Sequence, residues 1–145
     1  MIEINNSSGF AVNEKFLKKV GQIVLKGEGK EKYTLSIALI KEKEIRGLNK
    51  KYLKKDKPTD VLSFSQVSDF SEKIKEFENI LGEVIICPQV VKRNAEDFNV
   101  PFEKELAKVL IHGILHLLDY EHEKSDKKWK EMQEKENYYL SLCFS

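Results

Sequence analysis

The sequence predicts an α+β fold: a small mixed β-sheet of about four strands packed with about five helices, one of them a long central helix. Three observations predict it. Apolar residues recur with a two-residue period in short segments and a helical period in longer ones, in the order β-α-β-α-β-β-α-α-α. The 145 residues, 41% of them hydrophobic, suffice for one core and fall short of the length at which chains divide. No repeat, low-complexity tract or Pro/Gly/Ser linker interrupts them, so residues 1–145 read as one domain.

Ile2-Glu3-Ile4 reads as a short first strand. Asn13 is placed to cap a helix whose face is Phe16, Leu17, Val20, Ile23 and Val24, until Gly27 ends it. In Tyr33–Ile40, Leu35, Ile37 and Leu39 alternate with Thr34 and Ser36, the pattern of a strand with one polar side. Ile45, Leu48, Tyr52 and Leu53 mark a second amphipathic helix, closed by the loop Lys54–Pro58; Asp60–Ser65 is a third strand. Residues 66–79 are polar and irregular, with a short helix around Glu72–Phe77. Leu81–Cys87 is a strongly apolar strand, and Pro88 suits the first turn of a helix carrying Val90, Val91, Ala95 and Phe98. Asn99-Val100-Pro101 breaks that helix. Phe102–Leu118 is the longest helical pattern, with Leu106, Val109, Leu110, Ile114 and Leu117 on its core face. After a break near Asp119–Glu123, Ser125 can cap a last helix with Trp129, Met132, Glu136, Tyr139 and Leu140 on one side.

Charge narrows the function classes. The 25 basic and 24 acidic residues leave a net charge of +1, which excludes a strongly basic nucleic-acid coat protein and an acidic disordered tail. Any electropositive surface must be local. The opening MIEINNSSGF has neither a basic nor an apolar leader region, and Val109–Leu118 is far too short to span a bilayer. Cys87 and Cys143, two thiols far apart, make no disulfide framework. A cytoplasmic protein with no membrane partner is the expectation.

All three histidines of the chain fall within residues 112–122. His112 and His116, four apart in a helical pattern, project from one face one turn apart, the separation two imidazoles need to share a tetrahedral metal. His122 lies beyond the expected helix end, where a turning chain can bring it back to the same point. Two histidines alone could be hydrogen-bonded core residues; the third favours a metal site. Three neutral nitrogens and one open position form a catalytic rather than a structural zinc site, the open position holding a water whose lowered pKa makes it a nucleophile. The spacing invites comparison with metzincin proteases, which place a glutamate after the first histidine as general base. Gly113 stands there, so peptide hydrolysis by that route is disfavoured. No residue can be named from the sequence as general base.

The segment His112-Gly113-Ile114-Leu115-His116-Leu117-Leu118-Asp119-Tyr120-Glu121-His122 resembles the H-G-x-L-H-L-x-G-Y-D-H signature of the YbeY family of metal-dependent endoribonucleases. Two further blocks resemble that family in the same order: Leu48-Asn49 and Tyr52 followed by Asp56-Lys57-Pro58-Thr59-Asp60-Val61-Leu62-Ser63-Phe64, and Leu81-Gly82-Glu83-Val84-Ile85-Ile86-Cys87. The resemblance implies one zinc ion per chain on His112, His116 and His122, the identity of the divalent metal staying open. It implies a single-strand-specific endoribonuclease that hydrolyses RNA phosphodiesters in rRNA maturation and ribosome quality control, with ribosomal RNA and the small ribosomal subunit as partners. A zinc-stabilised rRNA-binding or assembly factor with little catalysis is the alternative.

Asp119, Glu121 and Leu53 depart from the family pattern, which has glycine, aspartate and arginine there. Around Leu53, the lysines from Lys50 to Lys57 form the densest basic run in the chain, either a solvated helix end or a phosphate-binding patch. Arg46, two helical turns before Leu53, is expected with Lys54 and Lys57 to stand in for the arginine at the scissile phosphate. Thr59 and Ser63 are candidate hydrogen-bond donors to the same phosphate.

Overall fold

The structure, a computed structural model, describes residues 1–65, 79–118 and 126–145. The helix expected around Glu72–Phe77, the turn at Asp119–Glu123, His122 and the Ser125 cap all lie outside the described residues. Within them the order is β1 (Ile2–Asn6), α1 (Glu14–Gly27), β2 (Thr34–Leu39), α2 (Glu42–Leu53), β3 (Val61–Phe64), β4 (Ile80–Ile86), α3 (Pro88–Phe98), α4 (Phe102–Leu117) and α5 (Asp126–Cys143). The expected α+β class, with four strands and five helices, is what these residues form. No helix among them is long and apolar enough to cross a membrane.

The sheet order is β1-β2-β4-β3. β1, β2 and β4 run parallel and β3 pairs antiparallel with β4, giving the mixed sheet. Parallel neighbours need a crossover, which α1 supplies between β1 and β2. β1 runs past Ile4 to Asn6 because β2 offers it a partner as far as Leu39. All six residues of β2 are buried, Thr34 and Ser36 included. Its two faces lie under different layers. Leu35, Ile37 and Leu39 join Leu17, Val20 and Val24 of α1 and Leu106, Leu110 and Ile114 of α4 in the main core. Ala38 joins Ile45 of α2, Leu62 and Ile85 in a smaller cluster on the other side. Ser36 is therefore buried, and its hydroxyl donates to Glu83 Oε2 on β4 at 3.0 Å, as a buried polar group requires.

Helix ends follow local chemistry. Asn13 Oδ1 accepts from Phe16 N at 3.1 Å, Pro88 opens α3, and Lys54 and Asn99 close α2 and α3 in the left-handed conformation. α4 is buried nearly all round rather than on one face, Ala107, Ile111, Gly113 and Leu115 joining the residues expected, because α1, α3, α5, β3 and β4 all pack on it. Burying each large aliphatic side chain there contributes roughly 1.5–3 kcal/mol before entropy is counted. On α5 the buried stripe is Met132, Glu136, Tyr139 and Cys143; Trp129, expected on that side, sits in the first turn and is exposed. Cys87 and Cys143 are both free and buried, in keeping with packing roles.

Candidate functional site

The part of α4 that is not sealed carries the two histidines. His112 and His116 lie one turn apart with ring centroids at 4.5 Å, and their Nε2 atoms approach to 3.0 Å. The other nitrogen of His112, Nδ1, meets the carboxylate of Glu136 on α5. A carboxylate beside Nδ1 favours the tautomer that carries its proton there, the form whose Nε2 holds the lone pair. Two nitrogens sharing a tetrahedral zinc at ordinary bond lengths lie about 3.3 Å apart, so the observed pair has the bite of a chelate. A carboxylate behind a metal-binding imidazole is the usual means of fixing its orientation. The donor set therefore fits a divalent metal. Among the described residues no group of three His, Cys, Asp or Glu side chains is placed to hold one, and His122 is outside them.

Gly113 faces the opposite way, onto the sheet. A Cβ there would lie 2.7 Å from Val84 Cγ1 and 3.1 Å from Ser63 Oγ, so only glycine lets α4 come this close to β3 and β4. Ser63 Oγ donates to the Gly113 carbonyl at 2.8 Å and ties β3 to the helix directly beside His112. The protease-like position after the first histidine is thus a packing point with no room for a general base.

The two imidazoles open onto a cavity of about 920 Å³. Thr59–Ser65 forms one wall, α4 a second through Glu105, Lys108, His112 and His116, and α3 and α5 contribute Asn94, Phe98, Gln133 and Glu136. Glu105 and Glu136 are the residues that sequence reasoning passed over as site members. The signal was present in both, since each is a charged residue at a buried position of an otherwise apolar helical stripe. Burial pushes the Glu105 carboxyl above its ordinary range; Lys108 pulls it down and Asp60 adds a smaller push upward.

The comparisons with known proteins agree with one another. A family model described as Endoribonuclease YbeY matches residues 3–143. The chain belongs to the YbeY family of endoribonucleases. A relative from Thermotoga maritima named Endoribonuclease YbeY is 39% identical over 137 residues, 94% of this chain and 84% of that protein. One of the same name from Aquifex aeolicus is 40% identical over 125 residues, 86% of this chain and 80% of its own. The solution structure of a Thermotoga maritima protein aligns with TM-score 0.66 at 36% identity, covering 99% of this chain and 89% of that one.

In this YbeY chain the expected phosphate contacts divide. Thr59 and Ser63 line the cavity with His112 and His116. Arg46, Lys54 and Lys57 are not among its described lining. Arg46 Nε donates to Asp56 Oδ1 at 2.9 Å on the half-exposed surface, and that hydrogen bond holds the Asp56 carboxyl below the usual range. The two-turn spacing did put Arg46 near the loop after Leu53, but Asp56 in that loop takes up its charge. Lys54 is the left-handed residue that ends α2, and the Lys57 carbonyl accepts from Asn49 Nδ2 at 2.9 Å. Among the described residues, the cations on the wall are Lys55 and Lys108, and Leu53 also lines it.

Proposed function

We propose that this chain is a metal-dependent, single-strand-specific endoribonuclease acting on ribosomal RNA in its maturation and quality control, in the cytoplasm and at the small ribosomal subunit. One zinc ion per chain is held by His112, His116 and His122. The observation that carries the reading is the convergence of the His112 and His116 Nε2 atoms, with Glu136 behind His112, at the edge of a cavity large enough for a nucleotide. A divalent metal held by these histidines would supply Lewis-acid polarisation of a phosphate oxygen and a lowered pKa for water. Glu136 keeps the proton on His112 Nδ1, and Ser63 fixes the height of α4 against β3. Lys55 and Lys108 place positive charge on the wall, where they attract phosphates without reading sequence. A concave pocket takes an unstacked nucleotide and not a stacked duplex, which supports the reading of single-stranded RNA as substrate.

One feature favours the second reading, an rRNA-binding assembly factor with little catalysis. Among the described residues, the cavity wall bears no arginine to stabilise charge on the phosphate. The two are separated by following binding and cleavage of a single-stranded rRNA fragment before chelation, after it, and after zinc is restored. A nuclease loses cleavage on chelation, keeps much of its binding and recovers cleavage with zinc. Binding with no cleavage in any of the three states identifies the assembly factor.

A further inference from the structure

Along α4 the cavity has two ends: His112 and His116 at one, and Glu105 at the other, with Lys108 and Asp60 near its carboxylate and the Phe98 ring near Lys108; Lys55 also lines it. Glu105 is only 5% exposed yet lines the cavity, and its carboxylate accepts no hydrogen bond among the described residues. Such a group is costly to bury. The α4 dipole favours an acid in this first turn but does not require its burial, since Glu103 gains the same benefit while exposed. Phe98 is equally out of place: a phenylalanine 61% exposed, on the cavity wall, with Lys108 Nζ 5.9 Å from its ring centroid. Lys108 follows Glu105 by three residues, so the ring, the cation and the buried carboxylate lie together on adjoining faces of α3 and α4.

We propose that this end of the cavity is a subsite for one nucleobase of the RNA, stacked on Phe98 and read by Glu105 through an amino group on its Watson–Crick edge. The subsite deepens the endoribonuclease reading and rests on it. Glu105 precedes His112 by seven residues, about 10 Å along the helix, which is too far to exchange a proton with a phosphate at the histidines but suits an adjoining nucleotide. Two carboxylates repel phosphate, so the backbone passes on the histidine side and the base turns inward toward Glu105. A carboxylate can only accept. Adenine, cytosine and guanine each offer it an amino group, whereas uracil flanks its single N–H with two carbonyl oxygens that a carboxylate repels. Exposed aromatic rings accept any base by stacking, which leaves the choice to Glu105.

The test uses metal-loaded protein and short single-stranded 2′-O-methyl oligouridylates carrying one adenine, cytosine or guanine at each position in turn. Affinity is read by fluorescence anisotropy, and the RNA is checked for intactness afterwards. The expected result is one position at which an amino-bearing base binds about tenfold tighter than uracil. Glu105→Gln should reduce that preference to about twofold or less, since an amide both donates and accepts. Phe98→Ala should weaken every sequence by about tenfold, and Phe98→Tyr should restore binding. Binding with no base preference at any position, or a Glu105→Gln protein that keeps the full preference, overturns the subsite alone. A protein that binds no RNA overturns the subsite together with the endoribonuclease reading.

Discussion

Glu136 meets Nδ1 of His112 and so favours the tautomer whose lone pair is on Nε2, the atom that approaches His116. Replacing it by glutamine removes the charge while keeping the shape, and outer-shell losses of this kind cost about 10–100-fold in metal affinity. Glu136→Gln should therefore bind zinc more weakly in a competitive chelator titration with its fold unchanged; unaltered affinity would mean that the contact does not support a ligand. Glu105 makes a different prediction. Its carboxyl is raised above its ordinary value of 4.5, so the folded protein binds that proton more tightly than the unfolded chain. The stabilisation is complete below about pH 4.5 and is lost as pH rises through the raised value. Glu105→Gln should accordingly melt higher than wild type near pH 8, with the difference closing toward pH 4.5. A Gln variant less stable at pH 8 would contradict the burial argument. Leu53→Arg adds a cation to the wall and should tighten RNA binding and steepen its salt dependence by about one ion. Arg46→Ala, off the wall and paired with Asp56, should change cleavage little.

At the scale of elements, Gly113 shows how α4 and the sheet share one interface. Alanine is the better helix former by about 1 kcal/mol, yet its methyl would enter the space of Val84, a fully buried β-branched residue that cannot swing away. Overpacking of this kind costs about 1–3 kcal/mol, so Gly113→Ala should lower stability in urea and shift α4 beside His112. A stabilised variant would mean that the helix can slide at no cost. These elements were readable from the chain because Val20 and Val24, or Leu35 and Ile37, repeat at periods only a helix or a strand satisfies. What lay over them was not. The alternation of Thr34 and Ser36 with apolar residues shows a strand but not what covers its polar side, because periodicity records polarity and not cover, and the Ser36–Glu83 pair joins strands that are distant in sequence. The same limit applies to the site. His112 and His116 were legible from their spacing on one helix, whereas the Glu136 contact crosses two helices and Arg46 was drawn away by Asp56, a competition no helical wheel reports.

For the whole molecule, α4 is at once the centre of the core and the bearer of the candidate site, so a metal bound at His112 and His116 would be linked to folding. A metal that binds the native chain alone stabilises it by about 2.7 kcal/mol at a hundredfold excess over Kd. Thermal unfolding should move up with added zinc and down with chelator, and a midpoint indifferent to both would show that no metal meets the folded protein. The most direct test of the account measures metal content and single-stranded RNA cleavage on the same preparations of wild type, His112→Ala, His116→Ala and His122→Ala. The account predicts about one metal ion per wild-type chain, and loss of most of that metal together with cleavage in each variant. A His116→Ala protein that retains its metal and cuts RNA at the wild-type rate would contradict it.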